Sequence, residues 1–174
     1  RTGEVQARAP RCTKDEVNFA IECAKKAFGP WSKTPVMKRV QVLYNFRDLV
    51  VKHMDELTDI CAREHGKVWS EAQGDILKVK EPVEFACGVP NMMMGESMME
   101  TSKGYDTVLY REPVGVFAGV VPFNFPGMIP MGWMTPLCIA TGNTMVLKAA
   151  SMTPMTAMRL TDRKSTRLNS SHRT

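Results

Sequence analysis

The sequence predicts an α/β fold, a mostly helical lead-in followed by the start of a doubly wound parallel sheet. Apolar residues recur at helical spacing from Val17 to Phe85. The texture then changes at Gly104, beyond which apolar residues alternate and later run continuously. Two continuous runs, residues 114–121 and 144–148, flank a helical segment, and strand, helix, strand is the unit that builds a parallel sheet.

Each element has its own signal. Thr13-Lys14-Asp15-Glu16 reads as a capping box, in which the hydroxyl and the carboxylate satisfy each other's end amides. Val17, Ala20, Ile21, Ala24 and Phe28 follow at helical spacing. Gly29-Pro30 is expected to end the run and leave Trp31 in a short link. Thr34-Pro35 predicts a second N-cap with proline in the first turn, and Val36, Val40, Leu43, Phe46 and Val50 form that helix's buried stripe. A third helix is expected over residues 55–64, stopped by Gly66. A fourth begins near Ser70 and carries Ile76, Leu77, Val83 and Phe85; Pro82 bends it, and Gly88 and Pro90 close it. Met92, Met93, Met94, Met98 and Met99 read as flexible core filler.

Residues 105–111 alternate around Val108 and Tyr110, as a half-exposed strand does, and Glu112-Pro113 breaks the pattern. Residues 114–121 are small and branched throughout, the mark of a strand buried on both faces. Residues 126–140 read as a proline-interrupted apolar helix ending at Gly142-Asn143, and residues 144–148 as a second buried strand. Residues 161–171 are polar, basic and aperiodic. Two parallel strands do not make a stable sheet, so the chain is expected to be a fragment. It starts at Arg1-Thr2-Gly3-Glu4 with neither an initiator Met nor a signal peptide, so its beginning is expected to be missing too.

A hydrophobic share of 44% and a charged share of 24% fit an ordinary globular protein. No apolar run reaches the length a membrane span needs. The net charge is +5. Arg159, Arg163, Lys164, Arg167 and Arg173 stand against Asp162 alone, so residues 159–174 hold +4 of it. A basic tail on a nearly neutral body argues against a nucleic-acid surface. Cys12, Cys23, Cys61, Cys87 and Cys138 are odd in number and form no CxxC pair, which suits a reducing compartment and buried thiols. His53, His65 and His172 show no ligand spacing, so no metal site is expected.

Two places can carry chemistry. Pro122-Phe123-Asn124-Phe125-Pro126 follows the first buried strand, where an α/β sheet offers its carboxyl-end crevice to ligands. Aromatics and prolines around Asn124 stiffen the backbone, so its amide can serve as an oxyanion donor aimed from a dry wall. The other reading is a buried loop asparagine bonding its own turn. Lys148 ends the second buried strand and can reach the same crevice, either toward a cofactor's ribose or phosphate or as an ordinary strand-end lysine.

Three motifs, in order, resemble the aldehyde dehydrogenase superfamily: Arg111-Glu112-Pro113-Val114-Gly115-Val116, then Pro122-Phe123-Asn124-Phe125-Pro126, then Gly142-Asn143-Thr144-Met145-Val146-Leu147-Lys148. Thr2-Gly3-Glu4-Val5 and Ala27-Phe28 with Trp31 are similar to that family as well. Val83-Glu84-Phe85-Ala86-Cys87-Gly88-Val89-Pro90, with Phe123, resembles its methylmalonate-semialdehyde branch. The likeness covers residues 2–160.

The resemblance implies a mechanism. A cysteine attacks the aldehyde, an asparagine amide and the cysteine's own N–H hold the oxyanion, and hydride leaves to NAD, giving a thioester. In that branch the acyl group passes to coenzyme A with loss of carbon dioxide, in valine and pyrimidine breakdown. Asn124 matches the asparagine. Val121 (through its backbone) and Phe123 match cofactor-contacting positions, and Lys148 matches the residue that bonds the adenosine ribose. The family's usual Pro-Ser-Glu or Pro-Ala-Glu after the lysine is Ala149-Ala150-Ser151 here, so Ser151 stands for the glutamate that shares the ribose. An extra residue near Gly132 also departs from the branch's spacing. The nucleophile, the general-base glutamate and the glycine-rich turn lie further along in the family.

On this likeness residues 1–103 are a helical part of the cofactor domain, 104–112 an oligomerisation-arm strand, 113–160 the start of the NAD-binding sheet, and 161–174 a foreign basic tail. The parent is expected to be a homo-oligomer acting on a small aldehyde and coenzyme A, cytoplasmic in a bacterium or mitochondrial in a eukaryote. The fragment alone is expected to be inactive and prone to aggregate along its open sheet edge. Two other readings remain: a hydrolytic NAD(P)-dependent aldehyde dehydrogenase of another substrate class, and a non-catalytic helical interaction module with a basic tail.

Overall fold

Thr13 opens the first helix, α1 (Lys14–Ser32), through a complete capping box: Glu16 N donates to Thr13 Oγ1 and Thr13 N donates to Glu16 Oε2 at 2.7 Å. The Thr13 N–H, and after it the Thr13 hydroxyl, which donates to Glu16 Oε2 at 3.0 Å, hold the Glu16 carboxyl below its ordinary value. The structure, a computed structural model, describes residues 4–162. Thr2-Gly3, His172 and most of the basic tail expected from residue 161 lie outside the described residues.

Contrary to expectation, α1 does not stop at Gly29-Pro30 but carries Trp31 in its last turn. Side chains satisfy carbonyls of its last turn: Ser32 Oγ donates to Gly29 O and Thr34 Oγ1 to Pro30 O. Thr34 is not the cap of α2 (Val36–Lys52), whose N-cap is Pro35 without a side-chain bond. The expected stripe is present, with Val40, Leu43 and Val50 buried and Val36 and Phe46 packed against the core. Helix α3 (Met54–His65) ends at Gly66, where φ is +82°, a conformation that glycine adopts without penalty.

Helix α4 (Trp69–Cys87) is the centre of the core: Ala72, Ile76, Val79, Val83 and Ala86 are fully buried. Leu77 and Phe85, expected on that stripe, face outward, because they sit off the 3.6-residue face that those five define. A short α5 (Val89–Met92) leads to a hairpin of β1 (Glu96–Ser102) and β2 (Tyr105–Leu109), antiparallel with Glu96 opposite Leu109. The first of these strands escaped the sequence reading. Every residue of both is exposed, so the methionine stretch is not core filler. Only Met93 packs on the core, while Met98 and Met99 stand on a hairpin that nothing in the described chain covers.

Strands β3 (Val116–Val120) and β4 (Thr144–Lys148) pair in parallel, Val116 opposite Thr144 and Val120 opposite Lys148. The expected βαβ unit is there, but β3 is not buried on both faces. Only Gly119 of it is buried, because the sheet has two strands among the described residues.

The crossover between these strands is a π-helix (Met128–Met134) running into α6 (Thr135–Ala140). A π-turn holds more residues than an α-turn, which suits the extra residue read near Gly132; Thr135 N bonds Pro130 O across it. Gly132 is pressed against α4, where a Cβ would stand 2.7 Å from Lys78 O and 3.3 Å from Val79 Cα. Pro82 of α4 offers no N–H to that same Lys78 carbonyl, so the close approach falls where the proline interrupts the ladder.

The C-terminal carbonyls of α6 are all satisfied. Leu137 O accepts from Thr141 N, Cys138 O from Asn143 N, Ile139 O from Gly142 N and Trp31 Nε1, and Ala140 O from Arg39 Nε at 2.9 Å. Arg39 is buried without a carboxylate partner among the described residues. Its Nη1 donates to Thr34 O, and burial lowers its pKa. Helix α7 (Met155–Thr161), also missed in the sequence, is capped from α3: Glu64 accepts from Met155 N at 2.6 Å and Thr156 N at 2.9 Å. Among the described residues no helix is long and apolar enough to cross a membrane.

Gly132→Ala tests the contact between the crossover and α4. Helix propensity alone would favour alanine by about 1 kcal/mol. The clash is with backbone and cannot be relieved by a rotamer, so overpacking of about 1–3 kcal/mol should win. The expected result is a lower urea midpoint at unchanged m-value.

Candidate functional site

The carboxyl ends of β3 and β4 lie side by side, and the backbone of Val121 closes the pair by donating its N–H to Lys148 O at 3.3 Å. Val121 is buried at this corner. Lys148 extends its ammonium from the same edge and donates to Ser151 Oγ at 3.2 Å. Of the residues singled out in the sequence, Val121 and Lys148 are therefore direct neighbours, and Phe123 and Asn124 follow on the turn that leaves Val121. The segment after β4 returns to that turn, since Thr153 Oγ1 donates to Phe123 O at 3.0 Å. The result is a rim at the carboxyl end of a parallel pair, the place where such sheets take ligands.

The turn from Pro122 to Pro126 is fastened from beneath. The Phe123 ring lies over His65 of α3, with centroids 6.2 Å apart and planes inclined by 21°. The Phe125 ring sits under the ammonium of Lys67, whose Nζ is 4.3 Å from its centroid. Pro126 is fully buried, and Met128 N donates to Asp75 Oδ1 at 2.8 Å. Asp75 is itself buried in α4; its other oxygen receives Lys67 Nζ at 3.3 Å and Cys61 Sγ at 3.6 Å.

Asn124 stands at the tip. Among the described residues its side chain makes no hydrogen bond, so the reading of an amide spent on its own turn does not hold. Nor is it aimed from a dry wall: Asn124 is exposed, because the rim is open on the side away from α3 and α4. What the geometry offers is a fixed backbone carrying a free amide donor.

Asp75, Lys67, His65 and Thr153 were not singled out in the sequence. Asp75 carried a readable signal, being a charged residue beside Ile76 on the apolar stripe of α4. Arg39, beside Val40 on the stripe of α2, carried the same one. The other three give no local signal, because their partners are distant in the chain.

The thiols near this framework favour the protonated form. Burial, and then the charge of Asp75, push Cys61 from 9.0 up to about 12, and burial pushes Cys138 up to about 11. Cys12 and Cys23 are exposed. A separate, largely apolar cavity of about 230 Å³ lies between α2, the π-helix, α6 and α7; Leu43, Phe46, Leu49, Met131, Ile139 and Leu160 line it, with Asn45, Thr135 and Thr161 as its polar members.

Comparison with known proteins matches residues 1–163 to the aldehyde dehydrogenase family. A malonate-semialdehyde dehydrogenase of Geobacillus kaustophilus is 45% identical over 161 residues, 92% of this chain and 33% of that protein. A methylmalonate-semialdehyde dehydrogenase structure from Oceanimonas doudoroffii superposes with a TM-score of 0.83 at 38% identity, covering 86% of this chain and 30% of that one. One from Sinorhizobium meliloti 1021, assigned to the same activity and complexed with NAD, gives 0.85 at 40% identity, with 91% and 32% covered. The chain thus spans about a third of the length of the relatives it matches.

Cys61 gives this framework a pH signature. Its folded pKa is raised, so the folded state keeps the proton that the unfolded chain has lost. Its contribution to stability is complete below pH 9 and is lost as pH rises toward about 12. Urea midpoints measured at several alkaline pH values should fall with rising pH, Cys61 supplying up to about 1.4 kcal/mol per pH unit. That part of the slope should be missing in Cys61→Ala; equal slopes would show that Cys61 titrates normally.

Proposed function

The chain belongs to the aldehyde dehydrogenase family, and from that membership we propose that it supplies the oxyanion donor and one wall of the cofactor site in an NAD-dependent, coenzyme A-acylating semialdehyde dehydrogenase. The observation that carries the reading is Asn124: an amide with no partner among the described residues, on a backbone fastened at both ends, at the carboxyl edge of a parallel sheet. Its N–H is free to donate to a substrate carbonyl oxygen as negative charge grows there. One such donor is worth about 2.7–4 kcal/mol in the transition state. The methylmalonate branch is supported by the malonate- and methylmalonate-semialdehyde dehydrogenases among the relatives.

The residues at the rim fit NAD. Lys148 and Ser151 set an ammonium and a hydroxyl 3.2 Å apart, a pair suited to a ribose diol. Ser151 is shorter than the family's glutamate and uncharged, so it accepts a hydroxyl proton more weakly. The half-exposed Phe123 ring and the Val121 backbone would line the approach. NAD, when bound, supplies the hydride acceptor. The chain's own part is to hold the cofactor's ribose at Lys148 and the substrate oxygen at Asn124. On this reading the nucleophilic cysteine, the general base and the glycine-rich turn lie beyond residue 160, and the 174-residue chain alone produces no NADH from aldehyde.

The β1–β2 hairpin suits the oligomerisation arm of the parent, a homo-oligomer on this reading. It is exposed on both faces, with Met98, Met99, Tyr105 and Tyr110 outward. The compartment follows the source organism, cytoplasmic for a bacterium and mitochondrial for a eukaryote.

The test uses the complete enzyme. Asn124→Ala should lower kcat by roughly 10²–10³-fold while the KM for NAD stays within about twofold, as expected for an interaction made only in the transition state. Product analysis should show acyl-CoA when coenzyme A is present. Free carboxylate as the sole product would assign a hydrolytic enzyme instead, and an unchanged kcat would remove Asn124 from the mechanism.

A further inference from the structure

We infer that Lys67, acting with Asp75, is a positioning residue that sets the direction of the Asn124 amide; the inference rests on the reading of Asn124 as the oxyanion donor. Among the described residues Asn124 has no side-chain partner to orient it, so its aim is inherited from the turn between Pro122 and Pro126. Lys67 is the side chain that joins two of that turn's supports. Its Nζ lies 4.3 Å from the centre of the Phe125 ring, next in sequence to Asn124. The same ammonium is 3.3 Å from Asp75 Oδ2, and the other Asp75 oxygen receives Met128 N at 2.8 Å, just past the turn.

The energetics favour orientation over stability as the purpose of this arrangement. The Lys67 side chain is 11% exposed and that of Asp75 0%, so both charges have left water. Buried ion pairs commonly contribute little net stability, and apolar residues of similar volume often replace them without loss. What a desolvated cation adds is direction: it attracts the face of an aromatic ring and fixes the ring's plane. With Phe125 fixed by Lys67 and Phe123 held by His65 and by the Thr153 bond, the backbone of the residue between them is held from both sides, which sets where its side chain starts. Catalytic groups are sensitive to this, since a displacement of about 1 Å can cost of order 10²-fold in rate.

A double-mutant cycle in the complete enzyme tests the inference. Lys67→Met should lower kcat by roughly ten- to a hundredfold with the KM for NAD within twofold. Lys67→Met leaves Asp75 without its cation and can fail to fold, so Phe125→Leu is the second variant: it keeps the ion pair, removes only the ring, and should lower kcat in the same way. In an Asn124→Ala background neither change should slow the enzyme further, because the group they position is gone.

Equal losses in both backgrounds, or no loss from Phe125→Leu in the wild-type enzyme, would overturn the positioning role. The two readings also separate. If Asn124→Ala lowers kcat and Phe125→Leu does not, only this inference fails. If Asn124→Ala leaves kcat unchanged, the oxyanion reading falls and takes the inference with it.

Discussion

A single buried carboxylate ties the helical lead-in to the sheet. Asp75 lies on the inner face of α4, fully enclosed, and receives donors from three places: the thiol of Cys61 on α3, the ammonium of Lys67 between α3 and α4, and the amide of Met128 where the crossover begins. A carboxylate out of water is costly unless its oxygens are occupied. Here both are, and each donor comes from a segment that must be in place for the rim to exist. The carboxylate thus couples three pieces of backbone whose apolar packing alone would leave their relative rotation loosely fixed. It also sets the state of its neighbour, since its charge adds to burial in keeping Cys61 a thiol.

A second polar centre does for β4 what Asp75 does for the turn after β3. Helix α6 ends at the buried Ala140, and the carbonyls of a helix end need donors from outside the helix. Trp31 and Arg39 reach them from α1 and α2, and the turn through Gly142 and Asn143 supplies the rest. Asn143 then bonds forward: its Oδ1 accepts from Val114 N at 2.7 Å and Gly115 N at 2.9 Å. One side chain thereby aligns the start of β3 with the start of β4, and the parallel register that brings Val121 beside Lys148 follows from it.

The exposed surfaces have the same physical origin throughout. A two-stranded parallel sheet cannot cover its own faces, so Phe117 and Val120 of β3 remain open, as do both faces of the hairpin. A chain covering about a third of its relatives' length meets this condition directly. Phe117 and Val120, like Met98 and Met99 on the hairpin, are apolar residues that the rest of residues 4–162 leaves uncovered.

The sequence by itself determined the local grammar: the capping box at Thr13, the stop at Gly66, the stripe of α2, the Ile76 and Val83 positions of α4, and the two parallel strands with their crossover, which put Asn124 on the turn after β3 and Lys148 at the end of β4. These depend on neighbours within a turn or a strand, and periodicity reports them. Tertiary structure decided the rest. It carried α1 through Gly29-Pro30, turned Phe85, Met98 and Met99 outward, and widened the crossover into a π-helix against Lys78. It buried Arg39, Lys67 and Asp75, and it fastened the Asn124 turn from below. The physical reason is sequence distance. Met128 and Asp75 are 53 residues apart, and Arg39 and Ala140 are 101 apart, so what stabilises each of them is a partner that no local window contains.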